Sequence, residues 1–444
     1  MAITDIPAAE FYVLRNCSVP SLFLAGEAAD QGGDIVRRDV HVSAGKITDV
    51  VPSQQAVATP VPTIDVLGAM MWPCFADIHC HLDKGQISDR VTSDGTFASA
   101  LDAVGFDRVN WTRADMRARM DFGLRCAFAH GSSAIRTHLD SDHPASEASW
   151  EEFVQLRQQW LGRIDLQGVA LVQVGALADV ALARNVADRA AACGGILGAS
   201  TRQIPGLEAI IENLFCLADD RGLELDFHVD ETGDPDASAL ALIARQAKQR
   251  RFGGRVVVGH CCSLAVQTDE QIDRTLDVVA DAGLAVVTLP TLNLQLQDRN
   301  SGRTPRWRGM TLVHEMRARG IPVAIGGDNV RDPLHPYGDH DMLEAYRDAT
   351  RIAHLDAPVG SWPGSVTAVP RAIMGLAPNL IGRGCPADFV LFSARTYSEL
   401  LARPQSDRIV IRGGKRSTAT LPDFAELEVF VGNSSKRANA YRAP

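Results

Sequence analysis

Between about Met70 and Ala377 the sequence repeats one alternation eight times, a short apolar run followed by a longer segment with helical spacing. The runs are CFADIHCH, SSAIRTHLD, LQGVALVQVG, GGILGAS, LELDFHVD, GRVVVGH, LAVVTLP and IPVAIGGD. Near-continuous apolar runs suit strands buried on both faces, the condition of a parallel sheet covered by helices. Helices are expected over Arg113 to His130, Trp150 to Leu161, Val180 to Cys193, Leu207 to Asp220, Ser238 to Arg250, Asp269 to Asp281, Thr311 to Arg319 and Asp339 to Ile352. Eight such units predict an α/β fold, a (β/α)8 TIM-type barrel, with a doubly wound open sheet as the structural runner-up.

The chain ends read differently. Period-two alternation with Gly and Pro punctuation runs through FYVLRN, SLFLAG and DIVRRDVHVSAGKITDVV, and again through ADFVLF, RIVIRGG and LEVFVG. These strands predict a small β-sandwich domain built from both ends, residues 1–69 and 381–444, around a barrel at 70–380. The polar, arginine-rich segment Pro290 to Arg308 reads as a long loop after the seventh strand.

Composition removes several classes of function. The formal net charge is −10, with both signs scattered, which argues against a nucleic-acid surface. No run of about 18 uncharged apolar residues occurs, and the opening residues lack a basic segment followed by an apolar one, so a cytoplasmic protein without a membrane partner is expected. Nine cysteines without a CxxC pair read as reduced, mostly buried thiols.

Chemistry in a barrel gathers at the carboxyl ends of the strands. Here those ends carry His79 and His81, His138 and Asp140, His228 with Asp230 and Glu231, His260, and Asp328. Any one histidine at a strand end is as readily a core or capping residue; five strands ending this way point to a shared site. Residues i and i+2 of a strand face the same side, so His79 and His81 can point inward at one ion. Three imidazoles and a carboxylate around an open position suit a catalytic divalent metal, with Glu231 placed to carry a proton and His260 to polarise the nucleophile or an oxyanion.

The run FADIHCHLDKGQ resembles the HxH strand of the amidohydrolase superfamily, and IRTHLD, FHVDE, VVVGHCCSL and IGGDNVRDPLHPYG together resemble its cytosine deaminase branch. The resemblance implies that His79, His81, His228 and Asp328 are metal ligands, that Glu231 and His260 are acid/base and electrostatic partners, that Asp328 also takes a proton from the attacking water, and that Gln173 in LVQVG binds the amide edge of the substrate. Relatives with two metals bridge them with a lysine on the fourth strand. GGILGAST has none, which favours one divalent ion, Zn or Fe(II), per chain. Related enzymes imply a homo-oligomer.

Three positions depart from the cytosine enzymes. Asn329 stands where they have a second aspartate. Lys84 follows HLD, as in the HxHLDK form of N-isopropylammelide isopropylaminohydrolase, and His335 in DPLHP replaces an aromatic. All three are candidate substrate contacts. Trp111, Trp307 and the Arg299 to Arg308 stretch are candidates to stack on or clamp a planar ring, and His138 and Asp140 to orient the ligands. The expected activity is metal-dependent hydrolytic deamination of a small amino-substituted N-heterocycle, releasing ammonia. Alternatives are an s-triazine or alkylamine aminohydrolase, a cyclic-amide hydrolase and, of another class, a non-catalytic metal-binding barrel.

Overall fold

The period-two alternation of the amino-terminal segment forms strands β1 (Phe11–Pro20), β2 (Ile35–Ser43), β3 (Lys46–Pro52), β4 (Thr63–Asp65) and β5 (Met70–Pro73) in a computed structural model, which describes residues 6, 9–26, 34–53 and 61–431. They share one mixed sheet with Phe389–Phe392, Ile409–Arg412 and Lys415–Arg416 from the other end. Trp72 anchors this unit, its ring 5.1 Å from Phe23 and 6.2 Å from both Phe75 and Phe392.

Two expected strands are not strands. SLFLAG opens with a single 3-10 turn at Ser21–Phe23, begun where Pro20 ends β1. LEVFVG belongs to a 3-10 turn, Phe424–Leu427, and a short helix, Glu428–Val431, and its last residue lies outside the described residues. Asp423 and Glu426 cap each other's backbone N–H groups there, a start signal that overrides a short alternation. The compact units also divide elsewhere than at 69 and 380. One comprises Met1–Ala76, Phe128–Ser133 and Leu355–Leu421, the other Asp77–Ala127, Ala134–His354 and Pro422 onward. Residues after Leu355 join the first because main-chain bonds such as Ile381 N–H to the Phe23 carbonyl tie them to its sheet.

The eight apolar runs are parallel strands: β6 (Phe75–Cys80), β7 (Ser132–Asp140), β8 (Asp165–Leu171), β9 (Ile196–Ser200), β10 (Leu225–Val229), β11 (Val256–His260), β12 (Ala285–Thr288) and β13 (Val323–Ile325). Neighbours in the chain are neighbours in the sheet. Between the first and last, Cys80 and Asp328 form a bridge in which the Asp328 N–H donates to the His79 carbonyl at 2.7 Å, so the barrel is nearly closed.

The helices up to residue 354 are α1 (Phe97–Asp107), α2 (Arg113–His130), α3 (Ser146–Gln159), α4 (Val180–Ala192), α5 (Leu207–Arg221), α6 (Ala239–Arg250), α7 (Asp269–Asp281), α8 (Pro290–Leu296), α9 (Val313–Ala318) and α10 (Met342–Ala353). Eight follow the expected segments. The other two are new: α1, capped by the Thr96 side chain, and α8, which starts with Pro290 in its first turn and converts the head of the expected loop into a helix. Their side chains form one apolar cluster, Ala100, Leu292, Leu296 and Leu334 with Phe97 and Leu101 packed on it.

Candidate active site

His79 and His81 leave the end of β6 with their rings buried, and His228 leaves β10 beside them. The His81 and His228 Nε2 atoms are 3.2 Å apart. Asp328 completes the group from beyond β13: its Oδ1 lies 3.3 Å from His81 Nε2 and 3.8 Å from His79 Nε2. Burial pushes all three imidazoles well below their ordinary range, helped by the other rings and, at His81 and His228, by Lys84, and so leaves their lone pairs free. Burial, then the nearby Glu231, pushes the Asp328 carboxyl well up.

These groups satisfy one another poorly. His79 Nε2 and both Asp328 carboxylate oxygens are buried without a hydrogen-bond partner, and unpaired buried acceptors are costly. A shared divalent cation is the partner that answers all of them, so the four residues fit the ion expected of them. Backbone strain supports the same point: Asp230, His260, Cys261 and Asp328 all adopt positive φ, between 47° and 66°, each at or just beyond a strand end.

Two more side chains face this group. His260, at the end of β11, brings Nε2 to 3.9 Å from Asp328 Oδ2, and burial lowers its ring to about 3, so it is neutral. Glu231 sits largely buried, its Oε1 3.5 Å from His260 Nδ1, and burial raises it to about 8, opposed by Lys84 and Arg202. A carboxyl held protonated at neutral pH is a proton donor.

The cavity at the histidines is lined by Lys84, Gln173, Glu231, His260, Asp328 and Asn329 and walled by Phe97, Leu101, Leu292, Leu296 and Leu334. A neighbouring cavity of about 140 Å³ shares Lys84, Leu101, Leu171, Gln173 and Leu334 with it and continues to Arg108, Asp140 and Asp142. Gln173 accepts from Arg202 at 3.1 Å, and Asn329 donates to buried Asp332.

Three expectations need revising. His335 is absent from the lining residues; its Nδ1 pairs with the Asn329 carbonyl at 2.9 Å, so it braces the Asn329 backbone behind the cavity wall. Asp140 orients no ligand; it holds Lys84 at 3.1 Å and Arg108 at 2.8 Å. Trp111 is buried, donating to Asp107 at 2.9 Å with the Arg119 guanidinium 5.2 Å from its ring. His138 does lie beside the ligands, its ring 4.0 Å from that of His79 and its Nε2 3.2 Å from Asp226.

Sequence reasoning missed Asp77, Asp226 and Asn293. Asp77 accepts from the His79 and Gly327 N–H groups at 3.1 and 3.0 Å, pinning the ligand strand to the end of β13; Gly327 is required because a Cβ there would lie 2.7 Å from Asp77 Oδ2. Its place two residues before His79, on the same strand face, was the available signal. Asn293, on α8, donates into the space between Glu231 and His260.

The amidohydrolase family profile matches residues 107–418. The chain is 45% identical to the pterin deaminase of Rhizobium rhizogenes, over 96% of this chain and 98% of that one, and 24% identical to the N-isopropylammelide isopropyl amidohydrolase of Pseudomonas sp. strain ADP, over 79% and 87%. In fold it is similar to the 5-methylcytosine deaminase of Klebsiella pneumoniae, with a TM-score of 0.78, 22% identity and coverage of 93% and 98%. The HxH strand, the inward ring of strand-end histidines and these likenesses agree, and the chain belongs to the amidohydrolase family, hydrolases of C–N bonds other than peptide bonds.

Proposed function

We propose that the chain deaminates a pterin, an amino-bearing bicycle, with one zinc or iron(II) ion held by His79, His81, His228 and Asp328. The observation that carries this reading is the separation of proton donor and acceptor at one cavity: Glu231, kept neutral by burial, and Asp328, whose oxygens have no hydrogen-bond partner among the described residues and which a bound cation would hold ionised against its burial. The 45% identity to a pterin deaminase supports the choice of ring, and the adjoining cavity supports room for a second one. The absence of lysine from Ile196–Ser200 supports a single ion. Nine free cysteines support a reducing, cytoplasmic setting, and no described helix is long and apolar enough to cross a membrane. The homo-oligomer implied by resemblance is checked by light scattering.

A bound divalent ion supplies Lewis acidity and water that ionises near neutral pH. Asp328 takes the proton of the attacking water. Glu231 delivers a proton to the ring nitrogen beside the amino-bearing carbon, and His260 donates to the oxygen that adds there. The proton held by Asp328 passes to the amino group, the carbon–nitrogen bond breaks to release ammonia, and the added hydroxyl gives its proton back to Glu231 as the carbonyl forms. Gln173 and Asn329 read the polar ring edge, Lys84 faces a ring oxygen, and the leucine wall excludes bulk water.

The test is ammonia release by metal-quantified protein from pterin, cytosine, isocytosine and amino-s-triazines. Ammonia from pterin at the highest kcat/KM is expected. Isopropylamine from an alkylamino-triazine as the main product would favour the second reading, which rests on Lys84 in HLDK and the Pseudomonas relative. A new carboxylate without ammonia would indicate cyclic-amide hydrolysis and overturn both.

A further inference from the structure

Glu231 and His260 present a difficulty to the mechanism they serve. At 3.5 Å, Glu231 Oε1 and His260 Nδ1 are close enough to bond one another. That bond would fix the imidazole hydrogen on Nδ1 where the neutral carboxyl accepts, or spend the carboxyl's own hydrogen on Nδ1 where it donates, and either way leaves each carrier engaged with the other in place of the ring.

Asn293 stands between them, 1% exposed, with Nδ2 at 3.1 Å from His260 Nδ1 and 3.4 Å from Glu231 Oε1. An amide nitrogen carries two hydrogens and accepts nothing, so in this orientation it donates one to each neighbour. The reversed amide would take the Glu231 hydrogen on its oxygen, withdrawing it from the ring, and would forfeit the donation to Nδ1. Donation to Nδ1 makes that atom the acceptor of the neutral ring and places the ring hydrogen on Nε2. Nε2 is buried without a partner and faces the Asp328 carboxylate.

We infer that Asn293 is a positioning residue that holds the His260 hydrogen on Nε2 and keeps Glu231 and His260 from bonding each other. The inference rests on the proton roles given to those two residues above. It also ties them to the cavity wall: Leu292, Asn293 and Leu296 share one face of α8, and the two leucines line the cavity. Gly309, at φ 72°, lets the returning chain pass against this helix, where a Cβ would lie 2.7 Å from the Asn293 carbonyl oxygen. The helix that encloses the substrate therefore also sets the tautomer.

Zinc-loaded protein labelled with 15N-histidine, observed by long-range 1H–15N NMR with His260→Gln to identify the signal, reads the tautomer without any substrate. Wild type is expected to give a pyridine-like Nδ1 and a pyrrole-like Nε2 at His260. Asn293→Asp, an acceptor, moves the hydrogen to Nδ1, and Asn293→Leu, which frees Glu231 to bond Nδ1, changes the Nδ1 signal whether the carboxyl accepts from that atom or donates to it. In both, kcat falls about 10²-fold or more, KM changes far less, and zinc content stays at the wild-type level. Gly309→Ala, which displaces α8 without touching the amide, shifts the same signal even if the Asn293 variants fold poorly. A pyridine-like Nε2 in wild type, or wild-type shifts in Asn293→Leu, overturns the inference. If the tautomer shifts as expected but pterin yields no ammonia, the substrate reading fails and this one stands.

Discussion

Burying Lys84 beside a wall of leucines costs several kcal/mol unless its charge is met. Asp140 meets it at 3.1 Å and takes Arg108 on its other oxygen at 2.8 Å. Burial alone would raise this carboxyl, yet the two cations hold it down at about 2. Asp140→Asn leaves two cations without their counter-ion and is expected to destabilise the protein by about 3–5 kcal/mol in urea unfolding. A loss near zero would mean that another acid meets Lys84. Glu231→Gln is expected to cut turnover by about 10²–10⁴-fold while metal content is kept. Because Glu231 is neutral below about 8 and charged above it, kcat/KM should fall as pH rises through that value, measured with a ring that does not itself titrate there. At this scale the gathering of His79, His81, His228 and Asp328 was legible because strand ends and the i, i+2 rule place them without knowledge of packing, while their choice as the proposed ligands came from the resemblance. Asn293 and Asp226 were not: an asparagine in a polar stretch and an aspartate inside a strand acquire their roles only from His260, Glu231, His138 and Arg136, which belong to other strands.

Among the elements, the strands declared themselves and two helices did not. The eight barrel strands are short, near-continuous apolar runs bounded by turn residues, and Arg113–His130 and Asp269–Asp281 coincide with their sequence patterns. α1 and α8 have no such pattern, because their apolar faces meet each other over the cavity. Gly105 interrupts the first, and the second lasts only seven residues, its proline included. That shared face makes a specific prediction. Leu296→Ala removes part of the wall and should raise KM for the ring more than it lowers kcat, with a stability loss of about 2 kcal/mol, small for a buried leucine because the cavity already lies beside it. An equal loss in kcat and kcat/KM would place Leu296 in the chemical step instead.

For the whole molecule, eightfold repetition made the barrel readable, while the division between units was not, since contacts across the sheet and not composition assign residues 355–380. The proposed ligands come from both edges of the barrel sheet: His79 and His81 from the end of its first strand, Asp328 from just beyond its last. On the proposed reading, a chelator lowers Tm and abolishes turnover, and added zinc restores both; unchanged Tm at full metal loss would contradict the ligand set.

The seam where the barrel meets itself is held by few bonds, chiefly Asp328 to the His79 carbonyl and Asp77 to Gly327. An ion bound there rivets the first strand to the last. In the chelated chain, amide hydrogens of β6 and β13 should therefore exchange with deuterium sooner than those of β9 and β10, and zinc should slow them selectively. The same seam sets an order for biosynthesis. On the proposed ligand set, histidines made early must wait for residue 328 to leave the ribosome, so the ion would be captured only after nearly the whole barrel has been synthesised.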